Sequence, residues 1–281
     1  MSITFEEIDL IKQSADLIRK DCIWMSTRAG TGHLGPALSL AEILATLYKS
    51  VLKVDPQNPK WPDRDRLILS KGHGCLALYS ILSQMGFFER KLLGDFCTKY
   101  DTMLPGHPEI KLPGVEANTG SLGHGIALGV GMALAARMDK KEYRVFVITG
   151  DGELQEGSNW EAAMTAAYYG LDNLIVIVDR NMLQLGDFTE NITRLEPLVE
   201  KWKSFGWGVE VIDGHNIEKL LTAFNKIPFV KGQPSVIIAN TVKGKGLKIA
   251  ENKVDWHYKV LSYEQYEELK NEMSLEELYH E

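Results

Sequence analysis

Residues 145–181 read VFVITGDGELQEGSNWEAAMTAAYYGLDNLIVIVDRN, and two strands with a helix between them are legible in that string. Val145 to Thr149 is an apolar, β-branched run. Leu174 to Asp179 is a second run with no polar alternation, the pattern of a strand covered on both faces. The stretch from about Gln155 to Tyr169 has helical spacing. A right-handed βαβ unit points both of its strands the same way, so Asp151 and Asn181 leave the sheet at one edge. They stand 181 − 151 = 30 residues apart, the length of one such unit. Trp207 to Ile212 and Ser235 to Ala239 supply two more strand runs, with a helix at about Ile217 to Lys226 between them. Strands alternating with helices predict an α/β fold, a mostly parallel sheet with helices on both faces.

Outward from this unit the chain reads as one domain, 1–281, without internal repeats or a linker. Thr4 and Glu7 form a capping-box pattern, and Ile8, Ile11, Ala15, Ile18 and Cys22 recur at helical spacing behind it. A second helix is expected at about Ala37 to Val51. Pro56, Pro59 and Pro62 make Val54 to Arg66 irregular. Helices are expected again over Gly72 to Met85 and Leu122 to Met138, with a proline-bearing loop from Thr102 to Asn118 between them. Ser262 and Gln265 form another capping-box pattern and open a helical tail at about 262–281.

Composition narrows the function classes. The chain is 44% hydrophobic and 25% charged, as an ordinary globular protein is. No run approaches the length of a membrane span, and Glu6, Glu7 and Asp9 spoil any signal-peptide pattern at the start. Three scattered cysteines (Cys22, Cys75, Cys97) form no framework, which points to a reducing cytoplasm. A net charge of −7 argues against nucleic acid as a partner, but leaves room for an anionic cofactor held locally.

Asp151 and Asn181 offer a carboxylate and a carboxamide oxygen, hard ligands suited to Mg²⁺ or Ca²⁺, and Mg²⁺ commonly shares its shell with phosphate oxygens. Gly150 and Gly152 let backbone approach a phosphate, and the helix behind them aims its N-terminus there. The pair therefore reads as a metal-bridged diphosphate site; taken singly, Asp151 reads instead as a helix cap and Asn181 as the end of a strand. Five of the seven histidines sit beside glycine: His33, His73, His107, His124 and His215. Such residues occupy turns where a ring can face a ligand. Only convergence in space makes the group catalytic, and spacing does not show it. Lys243-Gly244-Lys245-Gly246 lacks the P-loop pattern, and Gly123-x-Gly125 follows no strand. Glu153, Glu156 and Glu161 near the start of a helix are ordinary dipole partners.

Gly30-Thr31-Gly32-His33, Asp63-Arg64-Asp65-Arg66, Leu69 to Gly74, Gly106-His107-Pro108-Glu109, Thr119 to Gly123, Gly150 to Asn181, TVKGKG (241–246) and Trp256-His257 occur in an order that resembles the N-terminal part of a transketolase. Transketolases use thiamine diphosphate to move two-carbon ketol units. The resemblance spans about residues 10–260 and implies the thiamine diphosphate-binding fold in its diphosphate-binding form. It implies Asp151, Asn181 and the Leu183 carbonyl as ligands of Mg²⁺ (or Ca²⁺ or Mn²⁺). Gly152, Glu153, His73, Lys243 and His257 are then expected by the diphosphate, and Gly120, Ser121 and Leu122 beside the cofactor rings. His33, His73, His107 and His257 are expected around the reacting ketose, with His33 also at the cofactor. Glu156 and Glu161 resemble an acidic pair at the family's subunit interface. Three residues depart from the family: His124 where Gln is usual, Leu34 where Pro is usual, and Pro36 in place of Ser or Gly.

No segment resembles the family's pyrimidine-binding domain. The resemblance thus implies the N-terminal subunit of a split enzyme, completed by a C-terminal subunit in an α2β2 assembly, acting on ketose and aldose sugars. Alternatives are a deoxyxylulose-phosphate synthase-like or 2-oxoacid dehydrogenase-like component, or a non-catalytic cofactor-binding subunit. Gly106 to Glu109 and Thr241 to Gly246 favour transketolase.

Overall fold

The structure is a computed structural model and describes residues 3–273 and 275. Five strands, β1 (Arg66–Leu69), β2 (Val145–Gly150), β3 (Leu174–Arg180), β4 (Gly208–Asp213) and β5 (Ser235–Asn240), form one sheet in the order β1-β2-β3-β5-β4. Every pairing is parallel. In chain order the helices are α1 (Phe5–Ala29), α2 (Leu34–Leu38), α3 (Ala41–Thr46), α4 (Cys75–Met85), α5 (Gly125–Met138), α6 (Gly157–Tyr168), α7 (Thr189–Ile192), α8 (Leu198–Ser204), α9 (Ile217–Asn225) and α10 (Tyr263–Glu272).

Successive strand side chains point to opposite faces, and both faces are covered. Phe146, Ile148, Ile175, Ile177 and Ile237 pack into one core with α1, α3, α4 and α9. Val145, Val147, Leu174, Val176 and Val178 pack into the other with α5, α6 and α8. The central strands β2 and β3 are buried along their whole length. Each fully buried aliphatic side chain stabilises such a core by about 1.5–3 kcal/mol, which is why these runs carry no polar alternation. The expected α/β class and the two-faced sheet are as the strand patterns predict. Among the described residues no helix is long and apolar enough to cross a membrane.

Three local expectations are corrected. β1 is not foreseen: its buried core is only Leu67 to Leu69, too short for any period to emerge. The single helix expected over Ala37 to Val51 is divided. Ser39, between α2 and α3, turns its hydroxyl to the Asp179 carboxylate (2.6 Å) and the Pro36 carbonyl (3.1 Å), a side-chain competitor for continuous helix. The helix expected from Gln155 starts at Gly157, one short turn (Gly152–Gln155) further from β2. α10 opens on the Ser262–Gln265 capping box. The rest of the tail expectation, at 274 and 276–281 and including His280, lies outside the described residues.

Candidate active site

The C-terminal ends of parallel strands leave side chains and loops at one edge of the sheet, where ligands of α/β folds bind. Four of the five strands contribute here. Lys71 and His73 follow β1, Asp151 and Gly152 follow β2, Asn181 and Leu183 follow β3, and Lys243 follows β5. Together with His33, His107, Gly120, Leu122 and His257 they line a cavity of about 350 Å³.

Asp151 and Asn181 come together as their strand ends predict. The β2–β3 ladder pairs Gly150 with Asp179, and the Asp151 amide continues it to the Asp179 carbonyl (3.3 Å). The Asp151 carboxylate then accepts from the Gly152 amide (2.7 Å), the Met182 amide (2.6 Å) and Arg180 (3.2 Å). Met182 holds a left-handed conformation at φ 68°, a locally unfavourable geometry that its bond to Asp151 supports. Asn181 donates its amide to Asp179 (3.2 Å), which leaves its oxygen facing the Leu183 amide (3.1 Å). Burial, and then the nearby Asp179, raise the Asp151 carboxyl above its usual range, while Arg180 and the amides oppose the rise.

Sequence reasoning gives Asp179, Lys71 and Arg180 no role, although all three lie inside the quoted motifs. Asp179 is fully buried and takes Lys71, Ser39, Thr241 and Asn181 on its two oxygens. Burial pushes its carboxyl up, but Lys71 and the hydroxyls outweigh that and hold it below its ordinary value. Lys71 also donates to the Pro36 carbonyl (3.0 Å). The one sequence signal for this pair is two charged residues next to apolar strands, where exposure is impossible.

The imidazoles of His33, His73, His107 and His257 converge. The His33 ring lies 5.3 Å from His73, 6.0 Å from His107 and 5.6 Å from His257. His33 stands at the N-terminal end of α2 with its ring making no capping bond, and His73 sits in the single turn Gly72–Gly74 after β1. His107 is set in its long loop by Tyr79, whose hydroxyl donates to the carbonyls of Pro105 (2.8 Å) and His107 (3.0 Å). Gly120 has φ 144°, and a Cβ there would lie 2.9 Å from the His107 ring, so the close approach needs glycine. Lys243 donates to the Leu183 carbonyl (2.6 Å) and to His257 Nδ1 (3.0 Å), which leaves the His257 proton on Nε2.

Burial, followed by the charges of its neighbours, lowers His33 to about 4 and His257 to about 3, with His73 and His107 lowered as well. Burial and Lys71 bring Lys243 down to about 8. All four imidazoles are therefore neutral at pH 7, each with one donor and one acceptor. A histidine whose folded pKa lies below its unfolded value contributes stability above the unfolded pKa, near 6.5, and that stability is lost as pH falls toward the folded value. Asp151 and Glu153, raised by burial, titrate with the opposite sign. His257→Gln is accordingly expected to flatten the loss of stability between pH 6.5 and 5, measured by urea unfolding without cofactor. An unaltered slope would show that His257 titrates alike in the folded and unfolded chain, so that burial does not lower it.

Other expected residues fall elsewhere. Glu153 lines the cavity, but its oxygens are taken by Ser70, Gly123 (2.9 Å) and Gly150 (3.1 Å), so it braces two loops. Ser121 is not brought to the cavity; it lines a separate shallow groove with His124 and Leu128. The reason is that alternate residues of the Gly120–Leu122 turn face opposite ways. Glu156 and Glu161 are exposed beside and on α6. His215 bonds Glu42 (2.9 Å) and the Val242 amide (2.8 Å), away from the cavity lining. Of the three departures from the family, Leu34 is buried, His124 is in the groove, and Pro36 lines the cavity.

This edge of the sheet, with Asp151 and Asn181 at neighbouring strand ends and neutral imidazoles around one cavity, suits a diphosphate-binding domain of the thiamine-dependent class. Residues 11–279 match the family model described as transketolase, thiamine diphosphate binding domain, and the chain belongs to that family. It is 45% identical over 260 residues to SqwG, a subunit of the 6-deoxy-6-sulfo-D-fructose transketolase of Clostridium sp. (strain MSTE9), covering 92% of this chain and 94% of that one. It is 41% identical over 268 residues to one subunit of the apulose-4-phosphate transketolase of Phocaeicola vulgatus, covering 95% of both. The crystal structure of Campylobacter jejuni transketolase superimposes with a TM-score of 0.88 at 31% identity, over 99% of this chain and 44% of that one. The chain thus matches two transketolase subunits over more than nine-tenths of their length, and less than half of the longer crystallised enzyme.

Proposed function

We propose that this chain is the diphosphate-binding subunit of a two-chain transketolase, transferring a two-carbon ketol unit from a ketose to an aldose with thiamine diphosphate and Mg²⁺. The observation that carries the reading is the convergence of Asp151, Asn181, the Leu183 carbonyl and four neutral histidines on one cavity. The donor set fits a metal shared with phosphate. It offers hard oxygens, and among the described residues no three His, Cys, Asp or Glu side chains form a cage of their own. Lys243, already drawn to the Leu183 carbonyl, marks that oxygen as a point of attraction for positive charge. Asp151, Asn181 and the Leu183 carbonyl would hold the ion, Gly152, His73, Lys243 and His257 would bind the diphosphate, and Gly120 and Leu122 would lie by the rings. When bound, the cofactor supplies a carbanion and an electron sink.

The chain's own residues do the rest. Neutral His33, His73, His107 and His257 bind the hydroxyls of the ketose and accept or return protons at them, a task that needs an uncharged ring. The names of the two relatives point to ketoses carrying a sulfonate or phosphate, so an anionic donor is the class proposed here. Glu156 and Glu161, with the exposed Leu128, Met164, Tyr168 and Tyr169 nearby, form the surface on which subunits meet in the proposed α2β2 assembly. The unpaired cysteines suit a cytoplasmic location. The test is reconstitution. The purified chain with thiamine diphosphate and Mg²⁺ is expected to show no ketose turnover until the co-purifying subunit is added. Full activity of the chain by itself refutes the split enzyme, and turnover of 2-oxoacids in place of ketoses refutes ketol transfer.

A further inference from the structure

Tyr258 is half exposed, yet both ends of its side chain are engaged. Its hydroxyl lies 2.8 Å from the Thr31 hydroxyl, and its ring centre lies 4.6 Å from that of His33, closer than any of the three other imidazoles. Thr31 is two residues before His33, and Tyr258 follows His257 directly. One side chain therefore ties together two loops that each carry a cavity histidine. Ordering an exposed tyrosine costs conformational entropy with little burial in return, so the order it imposes is local. The ring it orders needs this support. His33 is half-buried, and no hydrogen bond to a protein group fixes its imidazole among the described residues, so packing alone sets its orientation.

We infer that Tyr258 is a positioning residue for the ketose: it holds the His33 ring in the cavity lining and fastens the His257 loop to the Gly30–His33 loop. This rests on the ketol-transfer reading for its kinetic consequence, though not for the geometry. His33 and His257 also have places at the cofactor, but Asp151, Asn181, Gly152, His73 and Lys243 line that end of the cavity, and His257 is held there by Lys243 as well (3.0 Å), so the larger effect falls on the sugar. A misaimed hydroxyl-binding group costs catalytic efficiency for the donor, and the split between KM and kcat reports where.

The test compares Tyr258→Ala with Tyr258→Phe in the two-subunit complex. In Tyr258→Ala, kcat/KM for the ketose donor is expected to fall about tenfold, chiefly through KM, with thiamine diphosphate affinity within about threefold of the unmodified complex. Tyr258→Phe keeps the ring and is expected to stay within about threefold of the unmodified complex. A second readout needs neither partner nor substrate. In the chain alone, the His33 ring-proton resonance, assigned by its loss in His33→Gln, is expected to lose its aromatic upfield shift in Tyr258→Ala and keep it in Tyr258→Phe. An unmoved resonance overturns the inference whatever the turnover. So does an unchanged donor KM in Tyr258→Ala, or a cofactor affinity that falls in parallel with it, which marks a merely structural part. If the unmodified complex turns over no ketose, the ketol-transfer reading fails and the resonance still decides Tyr258.

Discussion

Asp151→Asn is expected to weaken Mg²⁺-dependent binding of thiamine diphosphate by more than about a hundredfold, beyond what loss of a mere supporting neighbour costs a metal site. Without cofactor, the same variant is expected to be at least as stable as the unmodified chain. The two effects run in opposite directions for one reason. The Asp151 carboxyl is 2% exposed, raised by burial and by Asp179, so its charge is unfavourable until a cation arrives. Asparagine has the same shape and can still accept from a loop amide. Arg180 keeps Thr189 (2.8 Å), Glu190 (2.9 Å) and Glu196 (2.9 Å) after the change, so no buried cation is orphaned. Titration calorimetry with and without Mg²⁺, paired with thermal melting in a chelator, reads both. Unaltered affinity removes the ligand role; a joint loss of affinity and stability makes Asp151 a brace of the Met182 loop instead.

Lys71→Met carries the second large effect, and it falls on stability. Lys71 and Asp179 are 1% and 0% exposed as side chains, so removing the ammonium strands a carboxylate in the sheet edge. Breaking one partner of a buried pair costs about 3–5 kcal/mol, whereas replacing both partners is often far milder. The double variant Lys71→Met with Asp179→Asn is therefore expected to recover much of the loss, and the difference is the coupling between the two groups. Chemical denaturation measures all three variants. If the single variant loses under about 1 kcal/mol, the scale of a surface pair, the ion pair is not buried in solution.

The same two residues show where the sequence is mute. Asp179 ends a strand that is buried on both faces, and Lys71 follows a strand too short to be recognised. Charge next to apolar runs says nothing about pairing across the sheet, because partners 179 − 71 = 108 residues apart meet only once β1, β2 and β3 are aligned. Ser39, further away still in the chain, and Thr241 reach the same carboxylate from two other loops. By contrast Asp151 and Asn181 are legible together, since a single βαβ unit fixes both ends with no other information.

The sequence by itself determined the α/β class, four of the five strands and the oxygen pair at their ends. All of these follow from local period and from the fixed hand of one crossover, and need no distant contact. Only the tertiary structure decided which histidines meet. His33, His73, His107 and His257 meet from four separate segments, while His124 and His215, equally glycine-flanked, face elsewhere. It also sent Ser121 to a neighbouring groove and set Tyr258 against His33. Ring orientation depends on what packs on the other side, and packing partners far apart in the chain are not written in any local pattern.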